Sequence, residues 1–314
     1  MTDISVRASS RFRLRLLRAY RKTAALLAGK GLARFHGRVR PLDYELYNLL
    51  HFLVRPKGIT RIPCEAGEMY INADDPSLAP YLLGNVHERI NTELFRRTVK
   101  PGMRVVDVGA CWGYYTLLAA RLVGPTGIVY ALEPEPSNCQ LLSTNITSNH
   151  YNNVVAVEKA VSNTCGRREL FLDSVSSARH SFSRDALLRG GEPTRVDTVT
   201  LDSFFEGTGN MHVDVIKTSA EGADGLALYG AAQTLAMNPD LRIFMDFWPY
   251  RLDKCGTPSK EVLRLLNRTG FDRFTLIDDV RMEGRHVTFD ELLRFCDTMQ
   301  LNPDGVSLLV ERSR

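Results

Sequence analysis

No run of about 18 consecutive apolar residues occurs in the 314-residue chain, and no signal-peptide apolar core precedes a small-residue cleavage site. Neither a membrane span nor secretion is therefore expected. The six cysteines, Cys64, Cys111, Cys139, Cys165, Cys255 and Cys296, include no CxxC spacing. That argues against a thiolate zinc site and a dense disulfide framework, and it fits a reducing cytoplasm. His, Asp and Glu form no group with metal-ligand spacing, so no metal is expected. No internal repeat, low-complexity tract or nucleic-acid-binding motif appears either, so nucleic acid is not an expected partner. What remains is ordinary globular composition, 44% hydrophobic and 24% charged, with length for one large domain and appendages.

The net charge of +4 conceals an asymmetry. Met1 to Arg40 carries eleven Lys and Arg against Asp3 alone, which leaves the rest of the chain acidic. The leader, residues 1–48, places Phe12, Leu14, Leu16 and Leu17 among arginines, a pattern compatible with a helix over Arg11 to Ala28. A solvated basic arm is the expectation, with peripheral contact to an anionic membrane surface as the alternative use of the same charge.

Residues 49–100 read as a lead-in: strands over Thr60–Cys64 and Glu68–Asn72 turning at Ala66-Gly67, then a helix near Val86 to Val99 stopped by Pro101-Gly102. From 101 to 314, short apolar runs (MRVVDV, GIVYAL, VVAVEKAV, VDVIKT, LRIFMDFW, FTLID, VSLLVE) alternate with helical patterns after Trp112 and Pro136, up to Leu235, and over Ser259 to Thr269. Continuous apolar runs suit strands buried on both faces, and helical crossovers imply parallel pairing. The expected fold class is α/β, an open, doubly wound Rossmann-like sheet with an N-terminal helical and β-hairpin extension.

Sheets of this kind bind ligands beyond the carboxyl ends of their strands, where the strand order reverses. The stretch Val105 to Thr116, VVDVGACWGYYT, stands at such an end, and Gly109 and Gly113 would admit a ligand close to the backbone. The next strand ends ALEPEP, and Glu133 lies where an acidic side chain accepts hydrogen bonds from ribose hydroxyls. The turn lacks GxGxxG, and Cys111 and Trp112 would crowd a pyrophosphate. S-adenosylmethionine needs no pyrophosphate cradle: Asp107 would meet its ammonium, directly or through water, and the faces of Trp112, Tyr114 or Tyr115 would favour a sulfonium. Packing of the first helix is the competing use of those aromatics.

From about Gly58 onward the chain resembles the FkbM-type S-adenosylmethionine-dependent methyltransferases, many of which methylate hydroxyl oxygens of sugars, polyketides or other small metabolites. VVDVGACWGYYT and YALEPEP are similar to the family's first two motifs, and NVVAVEKAVSN to its third strand and adenine-side turn. TLDSFF with VDVIKTSAEGADGLALYGAAQTL is similar to its most diagnostic block, and LRIFMDFWPYRLDKCGTPSKEVLRLLNRTGF to its closing region. The resemblance implies a class I methyltransferase fold over 101–314. It also implies cofactor contacts at Asp107, Gly109, Ala110, Gly113, Thr116, Glu133, Pro134 and Ala160, and a hydroxylated small molecule, sugar or glycan as acceptor.

One departure stands in the diagnostic block. Where the family has Lys-Ile-Asp-Val-Glu-Gly, this chain has Lys217, Thr218, Ser219, Ala220, Glu221 and Gly222, so Ser219 replaces a carboxylate. A general base for an acceptor hydroxyl is then sought among Lys217, Glu221 and Asp246, with His180 as an outsider and a Lys217–Glu221 ion pair as the structural alternative. A non-catalytic nucleoside-binding protein, and more remotely a nucleotide-dependent oxidoreductase, are the competing expectations.

Overall fold

The computed structural model describes residues 15, 56–83, 87–187, 190–279, 282–299 and 305–313. Apart from Arg15, the basic leader and its expected helix lie outside them. The chain divides into two compact units, one of Met1–Cys64 with Glu68–His87 and one of Glu65–Gly67 with Glu88–Arg314. In the first unit, β1 (Ile59–Cys64) and β2 (Gly67–Asn72) form a two-stranded sheet, and α1 (Ala79–Leu83) follows, close to the hairpin read from the sequence.

The second unit begins with α2 (Arg89–Thr98), which occupies the place of the helix expected near Val86 to Val99. It continues with β3 (Arg104–Val108), α3 (Tyr114–Val123), β4 (Ile128–Leu132), α4 (Pro136–Ser148), β5 (Val154–Val157), β6 (Ala160–Val161), β7 (Gly166–Asp173) and β8 (Gly190–Val199). Then come α5 (Leu201–Thr208), β9 (Val215–Thr218), α6 (Asp224–Tyr229), α7 (Ala232–Met237), β10 (Arg242–Phe247), α8 (Pro249–Lys254) and α9 (Ser259–Arg268). The unit closes with β11 (Arg273–Asp278), β12 (Glu283–Val287), α10 (Phe289–Met299) and β13 (Val306–Glu311).

The main sheet runs β12-β11-β13-β10-β9-β3-β4-β5. The five strands from β10 to β5 are parallel, as their apolar runs and helical crossovers imply. The chain winds outward through β4 and β5 on one side of β3 and through β9 and β10 on the other, so the order reverses between β3 and β9. Both faces are covered: Val106, Val108, Leu132, Ile216 and Met245 pack into one apolar cluster, and Val105, Val129, Val215 and Phe244 into another with Tyr115 and Phe95. That two-sided burial is why β3 and β9 carry consecutive apolar pairs, Val105-Val106 and Val215-Ile216, rather than an alternation of apolar and polar residues. This is an open, doubly wound, Rossmann-like α/β sheet.

The sheet departs from the sequence reading in three places. β13, β11 and β12 join antiparallel, so the far edge is not part of a parallel sheet. VVAVEKAV is two strands rather than one. Val154–Val157 pairs with β4, whereas Ala160–Val161 pairs with β8 in a separate sheet of order β6-β8-β7, because polar Glu158-Lys159 breaks the run. The β7–β8 pair has no core-strand signature in the sequence: GRRELFLD and GGEPTRVDTV bury only a few of their residues, and carry charge and Pro193 where a core strand carries branched apolar residues. No helix among the described residues is long and apolar enough to cross a membrane.

Candidate functional site

A cleft opens at the ends of β3 and β4. Val108, Leu132, Val161, Leu170 and Phe182 give it apolar walls, and Gly109, Glu133, Pro134, Ala160 and Glu221 from the sequence-derived candidates line it. Asp107, Ala110, Gly113, Thr116, Lys217 and Asp246 do not.

The turn after β3 is built by backbone contacts. Gly109 and Ala110 donate to Leu132 O at 2.9 and 3.2 Å, and Gly113 donates to Ala110 O at 2.8 Å. Gly109 (φ 74°) is glycine for a reason other than ligand approach: a Cβ there would stand 2.4 Å from Ser219 O. Gly113 (φ 93°) likewise faces protein, since a Cβ would meet Leu142 Cδ1 of α4 at 2.6 Å. Gly113→Ala is accordingly expected to cost about 1–3 kcal/mol of stability through overpacking and a positive φ. Urea unfolding checks this, and a variant as stable as the parent would show that Leu142 yields freely.

Trp112 is buried, donates through Nε1 to Asn138 Oδ1 at 2.9 Å and accepts at its carbonyl from Asn145 Nδ2 at 2.8 Å. It anchors the turn to α4, and neither it nor Tyr114 or Tyr115 lines the cleft. Asp107 is also buried, where Thr116 Oγ1 donates to its Oδ2 at 2.5 Å. Burial raises the Asp107 carboxyl above its usual range against the pull of Thr116 and Lys217. The pair braces the start of α3, so a direct Asp107 contact with a ligand's ammonium is not what the geometry offers.

Glu133 is the buried acid of the cleft. Its Oε2 accepts from Cys111 N at 2.8 Å and its Oε1 from Glu135 N at 3.0 Å, which fixes the carboxylate while leaving each oxygen a second lone pair. Burial pushes it up to about 7, partly offset by the backbone donors of Glu135 and Cys111. The opposite wall carries His180, the outsider among the sequence-derived candidates. Ser177, Ala178, His180 and Phe182 close on the cleft from the segment between β7 and β8, held by Asn138 Nδ2 donating to Ser177 O at 2.8 Å. His180 Nδ1 accepts from Asp173 N at 3.1 Å, so its neutral ring carries the proton on Nε2 and has no spare lone pair to act as a base.

On the other face of the sheet, cross-strand register aligns a polar row. Lys217 stands opposite both Asp107 and Phe244, and Asp246 follows two residues beyond Phe244. Lys217 Nζ lies 3.6 Å from Asp246 Oδ1 and 5.0 Å from the Tyr115 ring centroid. Burial opposes the Lys217 charge, but Asp246, Glu88, Asp107 and Asp224 outweigh it and raise its pKa. Lys217 is thus a fixed cation and not a base, and its partner is Asp246 rather than Glu221. Burial lifts Asp246 to about 6 despite Lys217, with Glu88 and Asp224 adding to the rise and a Ser219 hydrogen bond opposing it.

Glu221 pairs instead with Arg251, a buried guanidinium stacked 3.9 Å from the Trp248 ring centroid. Asp224, unremarked in the sequence, organises the same turn. Its Oδ1 accepts from Thr218 Oγ1 at 2.7 Å and Ala220 N at 3.0 Å, and its Oδ2 from Gly222 N at 3.1 Å. An aspartate just inside a helix start was the available signal.

A parallel sheet whose order reverses beside a glycine turn, with a buried acid closing the second strand and no pyrophosphate cradle, defines the Rossmann-like class I methyltransferase fold. The chain belongs to the methyltransferase FkbM domain family, whose model matches residues 107–273, over half of the sequence. The cofactor of that family is S-adenosylmethionine. Among curated relatives, protein-L-isoaspartate O-methyltransferase of Methanothrix thermoacetophila is 38% identical over 56 residues, which is 18% of this chain and 27% of that protein. Ribosomal RNA large subunit methyltransferase E of Coxiella burnetii is 39% identical over 66 residues, 21% of this chain and 28% of that one. The chain thus spans about a quarter of the length of the curated relatives it matches. A solved FkbM methyltransferase from Methylobacillus flagellatus aligns at 16% identity with a TM-score of 0.37, over 76% of this chain and 55% of the other.

Proposed function

We propose that this protein is an S-adenosylmethionine-dependent methyltransferase whose acceptor is a hydroxyl oxygen of a small metabolite, sugar or glycan. The supporting observation is the presence of two acids of unequal duty along the carboxyl edge of the parallel strands, Glu133 after β4 and Asp246 near the end of β10, with β3 and β9 between them. Glu133 lies in an apolar cleft where a ribose diol would donate to it, and Asp246, held beside Lys217, is ionised at neutral pH and able to take a hydroxyl proton.

The cleft fits the cofactor in kind. Val108, Leu132, Val161 and Phe182 offer an apolar slot for adenine, Glu133 offers acceptors for ribose, and Pro134 and Ala160 close its rim. When bound, the cofactor supplies a methyl group on a sulfonium that leaves readily, so the protein's part is alignment and proton removal. Alignment at roughly 3–3.5 Å accounts for on the order of 7–11 kcal/mol in reactions of this type. The curated relatives named above act on protein and ribosomal RNA, but matches of 56–66 residues are too short to carry an acceptor across.

Titration with S-adenosylmethionine, S-adenosylhomocysteine and NAD is expected to give binding of the first two alone. Transfer of labelled methyl against a panel of hydroxylated metabolites, sugars and ribosomal RNA is expected to place label on a metabolite or sugar hydroxyl. NAD binding would support an oxidoreductase. Cofactor binding with no transfer to any acceptor would support the non-catalytic reading, and label on RNA would overturn the acceptor class.

A further inference from the structure

We propose that Ser219 is a catalytic residue, a hydroxyl relay that passes the acceptor's proton from the cleft to Asp246; this rests on the methyltransferase reading above. Three observations place it there. Ser219 lines the cleft and Asp246 does not, and among the described residues Ser219 is the cleft residue hydrogen-bonded to that carboxylate. Ser219 Oγ donates to Asp246 Oδ2 at 2.5 Å. The serine is also held firmly, since its N–H donates to Val108 O at 2.9 Å and its carbonyl abuts Gly109, where even a Cβ would collide.

A serine hydroxyl is no base near neutral pH, but it accepts one proton while releasing another. As the acceptor oxygen bonds the methyl carbon, the carbon–sulfur bond breaks and its electron pair stays on sulfur. The acceptor's proton moves to Ser219 Oγ, the proton already on Oγ moves to Asp246 Oδ2, and Asp246 ends neutral. Lys217 is the positioning residue that keeps Asp246 ionised beforehand. The other groups facing Asp246 are Glu88, which precedes α2, Asp224 at the head of α6, and the hydroxyl of Ser307 on β13, which donates to Oδ1 at 3.2 Å. Ser219 thus does through Asp246 what a carboxylate at its own position would do alone. An aspartate at 219 would set two carboxylates in contact.

The test combines four variants. Ser219→Ala is expected to slow methyl transfer to a hydroxylated acceptor about 10²–10⁴-fold while S-adenosylhomocysteine affinity stays unchanged, and Ser219→Thr to restore most of the rate. Independently of turnover, infrared difference spectroscopy follows the protonated Asp246 carboxyl band, assigned by its loss in Asp246→Asn. In Ser219→Ala its titration midpoint moves up by about one pH unit, because a donor to the ionised form is gone. Ser219→Asp moves the acid limb of the rate profile to higher pH. An unmoved midpoint in Ser219→Ala, or wild-type turnover in that variant, overturns the relay. A protein that binds neither S-adenosylmethionine nor S-adenosylhomocysteine overturns the methyltransferase reading instead, whatever the carboxyl band does.

Discussion

Arg251→Met is expected to lower the unfolding free energy by about 3–5 kcal/mol, the largest loss among single substitutions near the site. Arg251 is buried, ion-paired with Glu221 and stacked on Trp248. Methionine replaces much of the volume but leaves the Glu221 carboxylate, which is mostly buried, without a countercharge. Its partner also sits in a constrained bend: Glu221 has φ 50° and Gly222 φ 96°, with Arg251 O 2.5 Å from where a Cβ on Gly222 would lie. The ion pair therefore helps hold the turn that carries Ser219 and Glu221 into the cleft. Adding Glu221→Gln to Arg251→Met removes the stranded charge and is expected to recover part of the loss. Urea unfolding of the two single variants and the double checks both statements. A loss under about 1 kcal/mol for Arg251→Met would show that the pair is solvated enough to matter little.

Glu133 is expected to make both stability and ligand binding depend on pH, in opposite directions. Its folded pKa of about 7 stands above the ordinary glutamate value of 4.5 because burial disfavours the charge. In the ligand-free protein its contribution to stability is therefore fully present below the unfolded pKa and is lost as pH rises through about 7, a change of about 3 kcal/mol. A ribose diol donates to the ionised form, so affinity should fall as pH drops below about 7. Adenosine is the suitable probe, having no group that titrates near neutral pH. Glu133→Gln should flatten both dependences and weaken binding about 10- to 150-fold by removing charge-assisted hydrogen bonds. Adenosine affinity that does not change with pH in the parent protein, measured by calorimetry, would remove Glu133 from the ribose.

The core strands were legible in the sequence because burial on both faces leaves continuous apolar stretches, as in IVYAL of β4. The hairpin and the turn after β3 were legible because glycine and turn chemistry are local. Glu133 was legible for the same reason: its distance along the chain from that turn fixes its place at the end of the neighbouring strand. Gly109 and Gly113 stand out in the sequence as places where a ligand could approach the backbone, whereas the bodies a side chain there would strike, Ser219 O and Leu142, belong to other elements of the protein.

The tertiary structure alone decided which charges meet. Lys217 faces Asp246 because β9 lies beside β10 in a given register, and Glu221 faces Arg251 because α8 folds back onto the turn before α6. A spacing of four residues suggested a Lys217–Glu221 pair, but that rule belongs to helices, and Lys217 lies in a strand. The wall between β7 and β8 was hidden for a related reason: a sheet exposed on one face carries too few apolar residues to register as strands. Local sequence determines periodicity, turns and the faces to be buried, whereas strand order and register determine which side chains become neighbours, and no strand carries within itself the identity of the strand it will pair with.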